Sequence, residues 1–169
     1  MNYRSKKLNI RDLNIATDTV VPIIRAGHPT YRSLGELEVG DLVFRPDETP
    51  TEVVALGPVG SVGLRLHFTD GVSLDTSEET LLPVRDRARS EDITIAAGPL
   101  SWRRTIPGWR IRYVTRRRFV HQGQRRFARA AGIVGFQDIE DRPGRGVVVA
   151  GGGLFVVTDA WIPVFAAEI

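Results

Sequence analysis

The sequence predicts an all-β fold of short strands and hairpins, with at most short helices. Three observations carry this expectation. β-Branched and aromatic residues gather in short runs such as TDTVVPII and VSLDT, which have the length and composition of strands. The 169 residues include 17 Gly and 10 Pro, placed as punctuation between those runs. No long stretch carries apolar residues at the 3.6-residue period of an amphipathic helix, and no unit repeats at a fixed period.

The elements follow in order. Residues 1–12 form a polar, basic arm of the kind that orders on a partner, and residues 13–169 form a single domain. Within Ile15–Ile24 the run TDTVVPII is a strand, with Pro22 marking an edge or a bulge. Arg25 to Pro29 is a turn. Ser33-Leu-Gly-Glu36 has the spacing of a capping box and predicts one helical turn. Gly40-Asp41 turns the chain into Leu42–Phe44, and Pro46 to Pro50 is a hairpin loop. Glu52–Leu56 and Gly63–Phe68 are strands. Asp70-Gly71 is a two-residue hairpin signal between LRLHF and VSLDT. Leu81–Val84 resumes strand, and the polar stretch 85–100 reads as loop. Trp109 to Phe119 alternates Arg with Ile, Tyr and Val, as in a strand with one wet face. Gln124–Ala131 fits a short helix. Ile133–Ile139, Gly146–Val149 and Leu154–Thr158 close the chain as strands.

Composition excludes several classes. Apolar residues at 42% can fill a core, and charged residues at 25% are ordinary for a soluble protein. With no Cys there is neither a disulfide nor a thiolate metal site. The three histidines, His28, His67 and His121, offer little material for a metal centre; His28 is expected in a turn and His67 within a strand. No cofactor is expected. The basic N-terminus lacks the apolar core of a signal peptide, and no apolar run approaches the roughly 20 residues of a membrane helix. Charge is unevenly placed: Ile93–Gln137 holds ten Arg and no acidic residue, while the rest of the chain carries 13 basic and 20 acidic residues. Such polarity suits an anionic partner at one face.

Five phrases, in order, resemble the hedgehog/intein (Hint) family of self-processing domains. ATDTVV is similar to the first block, in which Asp-Thr follows the nucleophile. YRSLGELEVGDLVF resembles the phrase I-G-E-L-x-V-G-D-x-V that leads into the next strand, and DETPTEVVAL resembles the hairpin after it. LRLHFTDGVSLDTSEETLLPV resembles the block around a structural Thr-x-x-His. GVVVAGGGLFVVTDAWIPVF resembles the C-terminal strand pair that precedes a terminal His-Asn. The likeness covers residues 13–84 and 133–166 and resembles mini-inteins without a homing endonuclease; the stretch 85–132 stands outside it as an Arg-rich insert.

The resemblance implies three reacting positions. The nucleophile, Cys or Ser, lies four residues before the first-block Asp; that Asp matches Asp18, so the nucleophile position is Asn14. An amide cannot make this attack. A slip of register offers Ala16, which is inert, or Thr17, which lacks a base. In the Thr-x-x-His block Thr76 is present, but Glu79 stands at the His; its bland reading is an exposed turn residue. The His-Asn pair falls on Phe165 and Ala166, with only Ala167, Glu168 and Ile169 after it. Groups that act as a unit fail together, so self-processing is not expected. AGGGLF precedes a strand, not a helix, and reads as a flexible hairpin loop rather than a dinucleotide fingerprint.

The Arg-rich tract interleaves aromatics with Arg103, Arg104, Arg110, Arg112, Arg116, Arg117, Arg118, Arg125 and Arg126. Arginines pair with phosphates and rings stack on bases, so the tract suits nucleic acid. The competing reading sets the rings in the core and the arginines against acidic groups of this chain or a neighbouring subunit; it is favoured because no nucleic-acid-binding motif accompanies the charge. The sequence therefore points to a non-catalytic Hint-like module. Its expected setting is a bacteriophage virion or the host cytoplasm, as a minor capsid or capsid-decorating component. Its expected partners are proteins of a larger assembly, capsid proteins among them, or further copies of itself, without a membrane. Nucleic-acid binding through 102–129 is the first alternative, and residual self-cleavage through Thr17 and Glu79 the second.

Overall fold

Strand formation follows the alternation of side chains. Along Gly60–Phe68, Val62, Leu64, Leu66 and Phe68 are buried, while Arg65 and His67 between them are only half-buried. The computed structural model describes residues 9–102, 112–121 and 124–168, with side chains outside 116–130. The first strands are β1 (Ile15–Ala16), β2 (Val20–Arg25), β3 (His28–Ser33), β4 (Leu42–Phe44), β5 (Pro50–Leu56), β6 (Gly60–Phe68) and β7 (Ser73–Thr76). Then come β8 (Leu81–Asp86), β9 (Glu91–Ala96) and the single described α-helix, α1 (Ala97–Trp102). The chain ends with β10 (Tyr113–His121), β11 (Gln124–Arg145), β12 (Val147–Val149), β13 (Leu154–Val157) and β14 (Ile162–Phe165).

These strands form a seven-stranded sheet in the order β1-β7-β6-β11-β10-β8-β9, a five-stranded sheet β12-β5-β4-β2-β3, and the hairpin β13-β14. All the described strand pairs are antiparallel, and β11 also pairs with β1. β13 touches β2 and β4, while β14 touches β8 and β10, so the last hairpin ties the two sheets together. One core of buried Leu, Ile and Val runs between them, with Val21, Leu34, Val43, Leu66 and Leu82 fully enclosed. Two smaller clusters flank it: Phe44 against Trp161, with ring centroids 4.9 Å apart, and Leu13 with Val148 and Ala167. Among the described residues no helix is long and apolar enough to cross a membrane.

The all-β class is borne out; several local expectations are corrected. Thr17 and Asp18 form a turn that splits the expected Ile15–Ile24 strand into β1 and β2. Pro22 lies in a strand with neighbours on both sides, without a bulge; it is tolerated because the β4 ladder covers only Ile23 and Ile24. The Arg25–Pro29 turn shrinks to Ala26-Gly27, both at positive φ (50° and 76°), the geometry of a two-residue hairpin that follows strand twist. His28 thus begins β3 rather than sitting in the turn. Leu34–Glu36 is a 3-10 turn, but Ser33 makes no capping hydrogen bond; the turn is held by Leu34, whose side chain is buried and whose N–H reaches Thr19 O at 2.8 Å. Asp70-Gly71 belongs to a three-residue loop: Phe68 N–H bonds Val72 O, and Gly71 sits at φ 80°.

Residues 85–100 are not loop. β8 runs through Asp86 and pairs with β9, and α1 follows. The polar composition misled because Asp86 is buried through Arg112 rather than exposed. Gln124–Ala131 is strand, not helix: pairing with β10 overrides the local helical bias of QRRFARAA. Of the expected Trp109–Phe119 strand, residues from Tyr113 onward are strand, and 109–111 lie outside the described residues. The AGGG loop joins strands of different sheets, and it is held: Arg45 donates to Ala150 O (2.6 Å), Gly152 O (2.9 Å) and Thr51 Oγ1 (3.2 Å). Gly151, Gly152 and Gly153 are all left-handed, which only glycine accepts in series.

Candidate self-processing site

Residues 9–14 pass over the seam where β1, β11 and β12 meet. Asp12 and Leu13 N–H groups close a turn on Asn9 O, Ile10 packs against Leu13, Val148 and Ala167, and Asn9 bridges Glu168. Asn9–Asp12, read as part of the arm, are therefore folded onto the domain; residues 1–8 lie outside the described residues. The backbone here runs over a floor without side chains. A Cβ at Gly146 would collide with Ile10 O, one at Gly57 would come within 2.7 Å of the same oxygen, and one at Gly60 within 2.8 Å of Asn14 Nδ2. A Cβ at Gly144 would meet Val62 Cγ1 at 2.6 Å.

Asn14 is buried at the head of β1. Its N–H donates to Ser77 Oγ (3.0 Å), and its carbonyl accepts from Ser77 N–H and Thr80 Oγ1, both at 2.9 Å. Ser77 Oγ also lies 2.5 Å from Asp12 O and 3.0 Å from Thr80 Oγ1. The Asn14 amide donates through Nδ2 to Arg11 O at 2.9 Å; Oδ1 is buried without a partner among the described residues. Thr76 stands across the ladder from Ile15, fully buried, its hydroxyl likewise unpartnered. Glu79 is an exposed turn residue. Thr17 sits in the turn after β1, its hydroxyl 3.5 Å from Pro143 O, and Ala16 is buried in the strand. At the other terminus Phe165 pairs with Leu154, and Ala166 is buried with its N–H on Gly153 O at 2.8 Å.

A chain of ion pairs backs the site. Arg65 grips Asp75 with two bonds (2.7 and 2.9 Å), Arg142 reaches Asp75 at 2.6 Å, and Arg142 also bonds Asp18. Burial alone would raise the Asp75 pKa, but the two guanidiniums outweigh it and hold the carboxyl below its ordinary 3.8. Asp75 is adjacent to Thr76, so this chain links the first-block Asp18 to the Thr76 strand along a cleft of about 310 Å³ that also carries Asp159. In the sequence Asp18 stands out only as the first-block Asp, without its partners. The signal was weak: Arg142 lies 124 residues away.

No protein-family model matches the chain, and no curated protein matches it. Solved structures do. The MchDnaB-1 intein superposes with a TM-score of 0.62 at 19% identity, covering 89% of this chain and 98% of that one. A DnaB intein from Synechocystis sp. PCC 6803 gives 0.64 at 14% identity, covering 92% and 99%. The gp41-1 intein gives 0.60 at 16%, covering 92% and 98%. The chain has the Hint/intein fold.

Within this Hint fold, two of the positions singled out from the motifs lie on one short path: Ile15, next to Asn14, pairs with Thr76 in the β1–β7 ladder, and Ser77 and Thr80 clamp the Asn14 backbone. Glu79 belongs to the same turn but at the surface. The 85–132 insert contributes β9, α1 and most of the β10–β11 hairpin. Of the tract arginines, Arg112 is engaged: it donates to both oxygens of Asp86 at 2.9 Å and lies 5.3 Å from the Tyr113 ring centre. Arg103, Arg104 and Arg110 lie outside the described residues; Arg116, Arg117, Arg125 and Arg126 lie on the paired backbone of β10 and β11, with Arg118 at the register shift between Arg117 and Phe119. Among the described residues no group of three His, Cys, Asp or Glu is arranged to hold a metal.

Proposed function

We propose that the chain is a Hint-fold domain without self-processing chemistry. In this reading it serves as a structural and interaction module in a bacteriophage virion, as a minor capsid or capsid-decorating component. One observation carries the first part: the nucleophile position holds Asn14, whose amide is already committed to Arg11 O and whose backbone is clamped by Ser77 and Thr80. An amide offers no thiolate or alkoxide to form the ester intermediate. The surface carboxyl of Glu79 and the methyl of Ala166 supply neither the proton donor nor the cyclising amide. A rigid β scaffold outlasts its chemistry because fold does not fix function.

The virion setting is supported by the sequence phrases, which most resemble mini-inteins of phage packaging and head genes. Residues 1–12 and the Arg-rich tract serve as docking elements. Intact mass measured after long incubation with dithiothreitol or hydroxylamine tests the chemistry. The full-length mass alone is expected; a fragment ending at Leu13 would refute the inert reading. Mass spectrometry of purified particles tests the setting, with the chain expected at fixed stoichiometry to a capsid protein and its absence counting against it.

A further inference from the structure

We propose that the β10–β11 hairpin is an arginine ribbon that docks on double-stranded DNA. This deepens the interaction-module reading and is independent of whether the domain cleaves itself. The two strands pair from Val114↔Gly132 out to His121↔Gln124. β8 reaches β10 only at Tyr113 and Val114, and β6 reaches β11 only from Ile133 onward. Between those limits, among the described residues, Thr115–Ala131 is a two-stranded ribbon with no third strand.

The ribbon holds Arg116, Arg117, Arg118, Arg125, Arg126 and Arg129, and no acidic residue occurs from Tyr113 to Gln137. Its ladder sets Arg117 directly across from Arg129 and places Arg126 opposite Phe119, Arg125 opposite Val120. Like charges facing each other in a ladder oppose pairing, and a bound polyanion reverses that cost. Arg112, at the ribbon's base, is already taken by Asp86 and is not counted among the ribbon arginines.

Duplex DNA fits this element better than an acidic protein surface. The stem from Thr115 to His121 extends about 20 Å at about 3.3 Å per residue, and a two-stranded ribbon is one of the elements the B-form major groove admits. The A-form groove of RNA is too deep and narrow for it. Outside Ile93–Gln137 acidic residues outnumber basic ones, 20 to 13, so the rest of the chain repels phosphate and confines contact to the ribbon.

The test is fluorescence anisotropy of the full chain with a labelled mixed-sequence DNA duplex between 50 and 200 mM NaCl, about the range over which phosphate contacts are read. The expected result is binding whose log affinity falls with log salt at a slope of about −4.5 to −5.5, as five or six neutralised phosphates require. Arg117→Ser with Arg129→Ser is expected to weaken binding at least about tenfold and to flatten the slope by about 2. The pair Arg117→Lys and Arg129→Lys is expected to restore most of it, which a merely misfolded ribbon would not allow. No binding at 50 mM NaCl, or a flat salt response, overturns the proposal, as does binding unchanged in the Ser pair. Polyglutamate competing as strongly as unlabelled duplex would assign the ribbon to an acidic protein instead and equally overturn it. None of these outcomes bears on the intact-mass result, so the two readings fail separately.

Discussion

Asn14 occupies a position that the surrounding structure serves from three sides. Ser77 and Thr80 hold its backbone, the Arg11 carbonyl accepts from its side-chain amide, and Gly60 leaves room for the amide itself. The fit is mutual. Gly60→Ala would push a methyl to within 2.8 Å of Nδ2, an overpacking that costs about 1–3 kcal/mol. In an Asn14→Ala background the obstructing atom is gone, so the same substitution is expected to cost clearly less. A four-variant denaturation cycle checks this, and strict additivity would mean that the contact is not what limits Gly60. Motif spacing alone marks Asn14, Thr76, Glu79, Phe165 and Ala166 as candidate positions in the sequence. The Asp18–Arg142–Asp75–Arg65 chain was not legible there, since nothing local in a lone Arg142 says which distant carboxylates it will meet.

Elements were legible where they carry their own period. β6 alternates so regularly that its buried face can be read from the letters alone. β8 and β9 were hidden because their ends are charged: Asp86 is buried against Arg112, which immediately precedes β10. β11 was hidden for a related reason, as QRRFARAA has no strand character until β10 pairs with it. The Arg112–Asp86 latch therefore has a pH signature. The hydrogen bonds from Arg112, working against burial, hold the Asp86 carboxyl below its ordinary 3.8. The folded state thus binds this proton less readily than the unfolded one. The stabilisation is complete above the unfolded pKa of about 3.9 and is lost as pH falls through it towards the folded value. Asp86→Asn is expected to melt at a lower temperature than the parent at pH 7, with the gap narrowing below about pH 4. A gap that does not change with pH would assign Asp86 a packing role instead.

At the scale of the molecule, the order of five weak phrases conveyed the fold better than any single element did. Each is a short hairpin or turn, and together they follow the order of a Hint domain. The scaffold that results still brings the segment before Asn14, the Thr76 strand and the last residues of the chain to one seam. The central claim is that this architecture persists and only the reacting groups have been replaced. Asn14→Cys combined with Glu79→His places a thiol at the nucleophile position and an imidazole in the turn that follows the Thr76 strand. The most direct measurement is the intact mass of this double variant after hydroxylamine treatment. The introduced sulfur is expected to attack the Leu13 carbonyl, and hydroxylamine to trap the thioester as a fragment ending at Leu13, with the parent chain uncut. A double variant that melts like the parent yet stays at full length would contradict the claim that the site's geometry survives.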